Sequence, residues 1–330
     1  MIVARTPVRV SFLGGGTDYP EHFRQHGGRT LGVAIDRYSY VSVSQLAPLF
    51  DHSIRVSYSR TELVRWVEEI EHPSVRECLR FLGIDGGIEI HYVGDLPART
   101  GLGSSSSFTV ALLHALHAFK GEPVGLEQLA AEAVTVEQEW IHERVGVQDQ
   151  YTCALGGLVH LRMEPGGQID AQRLSLSDER LAALRGHLLL LYTGLQRHAH
   201  EVLEEQLERT RRGDVTASLG RLEELAGQGV DLLAGTGSLL PFGELLHDGW
   251  EIKRGLSSQI TNDSIDDAYA RARAAGAVGG KLIGAGGGGF LLLFVPTDRR
   301  DEVLRAVPGL RSVDVGFDLT GSRIIFHEPQ

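Results

Sequence analysis

Residues 97–119 read PARTGLGSSSSFTVALLHALHAF, with two glycines and four serines placed directly before a long apolar run. Serine runs usually mark flexible linkers. The residues that follow do not suit a linker. They predict a buried helix over 105–120, stopped by Gly121. A glycine turn that opens a helix leaves backbone N–H groups unpaired and pointing outward, and the helix dipole adds positive potential there. Such a terminus suits phosphate. First-turn serine hydroxyls can bond phosphate oxygens or help hold a hydrated Mg²⁺. Gly101, Leu102, Gly103, Ser104, Ser105, Ser106 and Ser107 therefore read as a polyphosphate cradle, and the apolar helix behind them as its rigid support.

Two familiar phosphate motifs do not apply. GxxxxGK[ST] is absent, because no lysine follows Gly103. Gly284, Gly286 and Gly289 match GxGxxG by letter, but FLLLFV follows them and reads as a strand. A dinucleotide site needs a helix at that point.

Working outward, residues 2–13 and 31–45 read as strands, as do IRVSYS, GIEIHYVG, GGLVHLRM and HLLLLYTG. Helices are expected at 61–81 and 126–144, and then at 201–212, 218–233, 239–253 and 263–275. KLIGAGGGGFLLLFV reads as a glycine turn feeding a strand, DEVLRAV as a short helix and SRIIFHE as a closing strand. No internal repeat is visible. Strands with helices first, then mostly helices with a late hairpin, predict an α+β chain in two parts, 1–180 and 181–330.

The composition excludes several classes. The chain has 330 residues, 42% hydrophobic and 23% charged, which is enough for a large core. A net charge of −11 argues against nucleic acid or an anionic membrane as the main partner. The two cysteines, Cys78 and Cys153, fit neither a zinc pattern nor a disulfide framework and suit reduced thiols in a cytoplasmic protein. MIVARTPVRVSF has no signal-peptide character, and runs such as Phe290–Val295 are too short to span a bilayer.

The segment Pro97, Gly101, Leu102, Gly103, Ser104, Ser105, Ser106 resembles the P-x-x-x-G-L-G-S-S-[AS] signature of the GHMP small-molecule kinases. PVRVSFLGGGTDY resembles that family's first motif, GVQDQYTCALGG the segment that carries its catalytic aspartate, and KLIGAGGGGFLLLF its third, C-terminal glycine motif. The four motifs occur in the family's order and span the chain. GGGTD, with GVQDQY, YTGLQR and WEIKRGLSSQI, most resembles the branch acting on D-glycero-D-manno-heptose 7-phosphate. The resemblance implies a two-domain fold with the active site in the cleft. It also implies transfer of the γ-phosphoryl group of ATP, with Mg²⁺, to the anomeric C1 hydroxyl of a sugar phosphate. A homodimer is left open.

The resemblance also implies roles. Asp149 is expected to accept the proton of the C1 hydroxyl, and Arg9 to keep Asp149 ionised and offset charge on the transferred group. Thr17 and Asp18 match positions that hold sugar hydroxyls, and either could equally cap the helix that follows. Galactokinases carry glutamate and histidine where this chain has Gly15 and Gly16. Those contacts are lost, and room is expected for a bulkier substrate. Ser105 and Glu137 are expected to serve Mg²⁺, with Glu139 as a rival, and Gly286 and Gly287 to lie on the nucleotide. A phosphate on the far end of the sugar would be met by Arg197, Lys253 or Arg254. Competing readings are a fucose- or galactose-type kinase, a mevalonate- or homoserine-type kinase, and a kinase-like sugar sensor without turnover.

Overall fold

Strand β1 (Ile2–Leu13) is the axis of the chain. In the computed structural model, which describes residues 1–97, 100–195 and 199–328, it runs antiparallel to β2 (Gly28–Gln45) along nearly its whole length. Between them lies α1 (Pro20–His26). Register shifts between Pro7 and Val8, where proline offers no amide to the ladder. Strand β2 is long enough to serve two neighbours, as the following strands show.

The first half continues with β3 (Ile54–Ser57), β4 (Thr61–Val64), α2 (Pro73–Phe81), β5 (Ile88–Gly94), α3 (Ser104–Lys120), α4 (Leu126–Thr135), α5 (Gln148–Leu155), β6 (Leu158–Met163) and β7 (Ile169–Leu174). The second half comprises α6 (Asp178–His187), β8 (Leu188–Tyr192), α7 (Ala199–Arg211), α8 (Thr216–Ala234), α9 (Leu240–Arg254) and α10 (Asp263–Ala274). It ends with β9 (Gly279–Leu282), β10 (Phe290–Phe294), α11 (Arg300–Ala306), β11 (Arg311–Val313) and β12 (Arg323–His327). The larger sheet runs β12-β1-β2-β5-β3-β4, and β6 and β7 extend it from the other end of β2. The smaller sheet is β11-β8-β10-β9. The closing strand β12 pairs with β1, so the chain crosses back over the boundary expected at residue 180.

Two apolar cores flank the large sheet. One packs Val41, Ile54 and Ile88 against Leu112, Leu116 and Leu129 of α3 and α4. The other packs Phe12, Leu13 and Leu31 against Leu222, Phe242 and Trp250 of the C-terminal helices and against β8 and β10. The later part of β1 is therefore buried on both faces, although Val8, Arg9, Val10, Ser11 and Phe12 still alternate between apolar and polar.

Two expectations need correction. Residues 61–81 are not one helix. TELV pairs as a strand with β3, and the helix starts only at Pro73, which sits at a first-turn position that needs no amide donor. The helix expected over 126–144 ends as α-helix at Thr135 and widens into a π turn over Val136–Trp140. Just beyond it, His142 has a φ of 62°. The chain around residue 180 forms helix α6, capped by the Ser177 hydroxyl, which accepts from the Arg180 amide.

Candidate active site

The edge of β1 that β12 covers at its start is open farther along, and there the Arg9 amide donates to the Leu102 carbonyl at 2.9 Å. The glycine turn before α3 is thus stitched to the central strand. The side chain of Arg9 tightens the same junction. Its Nε and Nη2 donate to Asp149 Oδ1 and Oδ2, each at 2.7 Å, and its Nη1 donates to the Gly101 carbonyl at 2.6 Å. Arg9 is only 4% exposed, whereas the Asp149 side chain keeps 27% of its surface open. A planar guanidinium matches a carboxylate in this two-point way, and a lysine could not.

Gly103 caps α3 in the left-handed region at φ 71°. A Cβ there would lie 3.2 Å from both Arg9 Cγ and Asp149 Oδ2, so the positive end of α3 abuts the ion pair directly. The third glycine segment closes over the 101–107 turn. A Cβ on Gly101 would meet the Ile283 carbonyl oxygen at 2.4 Å, and one on Gly284 would meet Gly101 Cα at 2.5 Å. Only glycine allows two backbones to approach in this manner.

Asp18 is almost wholly buried beside the pair. Its Oδ1 accepts from the Gly16 amide at 3.0 Å and its Oδ2 from the Gln148 amide at 3.4 Å. Burial raises its pKa, the charge of Asp149 adds to the rise, and the two amides oppose it. Glu137 lies under the first turn of α3. Its Oε2 accepts from Ser106 Oγ at 2.9 Å and from Gln150 Nε2 at 2.5 Å, and Oε1 has no partner among the described residues. Burial pushes its pKa up to about 7.

A helix N-terminus that attracts phosphate, a carboxylate open to a hydroxyl, and an arginine fixing that carboxylate together suit phosphoryl transfer to an alcohol. Two family models match the chain in agreement with this. The GHMP kinases N terminal domain matches residues 70–157 and the GHMP kinases C terminal model matches residues 230–310, together more than half of the chain. The chain belongs to the GHMP kinases. This kinase is 24% identical to the D-glycero-alpha-D-manno-heptose 7-phosphate kinase of Campylobacter jejuni, over 93% of both chains. It is also 24% identical to the galactokinase of Chloroflexus aurantiacus, over 92% of this chain and 86% of that one. Among solved structures, a D-glycero-D-manno-heptose 1-phosphate kinase from Bacteroides thetaiotaomicron shares the fold, with a TM-score of 0.79 at 21% identity over the full length of both chains. The expected α+β GHMP kinase fold is therefore the observed one.

The kinase brings together Arg9, Asp149, Asp18, the 101–107 turn and the Gly286–Gly287 loop, whose Gly287 amide donates to the Ile260 carbonyl at 2.9 Å. Other expected residues are placed differently. The Thr17 hydroxyl donates toward the Gly14 and Arg29 carbonyls and accepts the Arg29 amide, so its proton is committed to the turn and the side chain is fully buried. Ser107 donates to the Thr6 carbonyl inside the fold. Glu137 meets Ser106, not Ser105, which is exposed on the same turn. Glu139 is exposed on the π turn, whereas Glu137 is buried.

The glycines of the first motif do not leave open space throughout. A Cβ on Gly16 would already meet Gln206 Nε2 at 3.2 Å and Leu219 Cδ2 at 3.3 Å. Arg254 turns outward and is spent on Asp266 at 2.6 Å and Glu251 at 3.3 Å. Lys253, one residue earlier on α9, turns inward to the Gly284 carbonyl and lies beside the Arg9–Asp149 pair, not at a distance from it. Arg197 lies outside the described residues.

Sequence reasoning missed Gln148 and Gln150, which flank Asp149 on α5. Gln148 Oε1 accepts from Ser11 Oγ at 2.8 Å, and Gln150 holds Glu137. Their signal was present in the GVQDQ segment itself. Lys281 was also missed. Its ammonium donates to the Phe12 carbonyl at 3.0 Å, and nothing in a glycine-flanked strand marks it beforehand.

Proposed function

We propose that this kinase transfers the γ-phosphoryl group of ATP to the anomeric C1 hydroxyl of a sugar phosphate, D-glycero-D-manno-heptose 7-phosphate, giving the 1,7-bisphosphate. The observation that carries the transfer step is the Arg9–Asp149 fork against Gly103. Asp149 orients the C1 hydroxyl and takes its proton as the oxygen bonds to the γ-phosphorus and ADP departs. Arg9 holds the carboxylate in place through two hydrogen bonds. The amides of the 101–104 turn face the nucleotide phosphates. Asp18 positions a second sugar hydroxyl.

Glu137 suits Mg²⁺ because it is a buried carboxylate with one oxygen that has no partner among the described residues. No cluster of three or more His, Cys, Asp or Glu side chains that could hold a metal exists among the described residues, so the ion would lean on the nucleotide phosphates, as Mg²⁺ commonly does. Bound there, Mg²⁺ would neutralise charge on the β- and γ-phosphates. Ser106, already at Glu137, is the better candidate than Ser105 for the accompanying hydroxyl.

The choice of sugar is supported by the GGGTD motif and by similarity to the heptose 7-phosphate kinase. With Arg254 paired and Lys253 turned inward, Arg197 is left to hold the far phosphate. The test is ADP release with a panel of heptose 7-phosphate, free heptose, galactose and fucose. Heptose 7-phosphate should give the highest kcat/KM, and Arg197→Ala should raise its KM at least about tenfold while leaving free sugars unaffected. Preference for a free sugar would remove the phosphate pocket and favour a fucose- or galactose-type kinase.

A further inference from the structure

The site holds a second buried cation that the proton transfer does not use. Lys253 sits in the last turn of α9 and is 8% exposed. Its Nζ donates to the Gly284 carbonyl at 2.5 Å. Gly284 packs on Gly101, and the Gly101 carbonyl accepts Arg9 Nη1 at 2.6 Å. The two facing glycine loops therefore each carry one cation on a carbonyl, supplied from opposite ends of the chain. An ammonium offers three donors, and a carbonyl takes only one.

The charged groups facing Lys253 are Arg9 from β1, Asp18 from the loop after it, Asp149 from α5 and Lys281 from β9. Lys281 is tied to the Phe12 carbonyl, and burial with the neighbouring cations pushes its pKa far down. Arg9 is matched by Asp149 in two hydrogen bonds, while Lys253 has no carboxylate partner among the described residues. An unpaired ammonium in a water-poor site is costly unless an anion joins it. In the phosphoryl-transfer reading above, the transferred phosphoryl group would supply that anion.

We propose that Lys253 is a catalytic residue of the transfer step, a second cation from the C-terminal half of the chain that binds a non-bridging oxygen of the phosphoryl group in flight. This inference rests on the phosphoryl-transfer reading above and is independent of which sugar is used. Lys253 gives charge and a hydrogen bond and moves no proton. The bond from the γ-phosphorus to the β,γ-bridging oxygen breaks, ADP leaves with that electron pair, and the hydroxyl proton goes to Asp149.

The test compares wild type, Lys253→Met and Lys253→Arg in the full chain. The Met variant should lose at least about 10²-fold in kcat, by the same factor on phosphorylated and free sugars, with ADP affinity little changed. The Arg variant should recover most of that loss. Burial, together with the charge of Arg9, lowers the pKa of Lys253 to about 8, against the opposing pull of Asp18 and Asp149. Wild-type kcat should therefore fall above about pH 8, and the fall should move to higher pH in the Arg variant. A Met variant whose only defect is a higher KM for the phosphorylated sugar would overturn the proposal. So would equal losses in both variants with no shift of the alkaline limb, which would reduce Lys253 to a prop for the Gly284 loop. The comparison is run on whichever acceptor the panel identifies, so a different sugar defeats the substrate reading and leaves this test intact.

Discussion

Arg9 and Asp149, 140 residues apart in the chain, meet through two hydrogen bonds of 2.7 Å directly beneath the first turn of α3. The arginine is buried and its third contact is the Gly101 carbonyl, so the pair is fixed to the phosphate turn as well as to itself. A base held in this way is already oriented before substrate arrives.

Asp149→Asn keeps the size of the side chain, replaces one of the two oxygens that accept from Arg9 with an NH₂ donor, and removes the proton acceptor. Turnover should fall at least about 10²-fold while ADP affinity stays near that of wild type. Calorimetric titration with ADP alongside steady-state turnover separates the two. Near-normal turnover in the folded variant would take Asp149 out of the chemistry.

The serines of the first turn should differ from one another. Ser106 donates to Glu137, whereas Ser105 is exposed. Ser106→Ala should therefore raise the Mg²⁺ concentration needed for half-maximal activity several-fold, and Ser105→Ala should raise it less. A Mg²⁺ titration of initial rates decides the order, and the reverse order would return the metal to Ser105.

Much of this site was legible in the sequence because its physics is local. A glycine turn before an apolar helix has only a few uses, and the 101–107 segment showed all of its parts in one stretch. Strands β1 and β2 were likewise carried by the residue pattern of each, whereas their long antiparallel pairing emerges only in the fold. What was illegible depends on packing between distant elements. Lys253 and Arg254 are neighbours on one helix, and only the burial of α9 against the glycine loops decides which of them faces the site. Glu137 and Glu139 could not be separated by helical period, because the helix widens into a π turn at those residues. Thr17 carried a sugar-binding expectation, but its hydroxyl is consumed by backbone that folds back from Arg29. The strand at 61–64 was hidden by its closeness to a true helix, and the start of that helix at Pro73 was the available sign.

Stability should depend on buried His22 and half-buried His114. Burial lowers the pKa of His22 and of His114 to about 4, in each case helped by a neighbouring histidine. Unfolded histidine binds its proton near pH 6.5. Between those values the unfolded chain holds more protons than the folded one, so this contribution is complete above about pH 6.5 and is lost as pH falls toward about 4. Each histidine should remove about 1 kcal/mol by about pH 5.5. Both ring nitrogens of His22 lack partners among the described residues, so His22→Phe should flatten the decline without large cost at pH 7.5. Urea unfolding of both proteins across this range gives the answer, and parallel declines would mean that His22 titrates normally.

The most direct test of the central claim is the chemical identity of the product. Wild-type protein is incubated with ATP, Mg²⁺ and D-glycero-D-manno-heptose 7-phosphate, and the mixture is followed by ³¹P NMR. The account predicts a new phosphate resonance coupled to the anomeric proton, growing in step with ADP while the 7-phosphate signal is retained, and absent with Asp149→Asn. A new phosphate coupled to any other sugar proton, or no sugar product while galactose or fucose is phosphorylated under the same conditions, would contradict it.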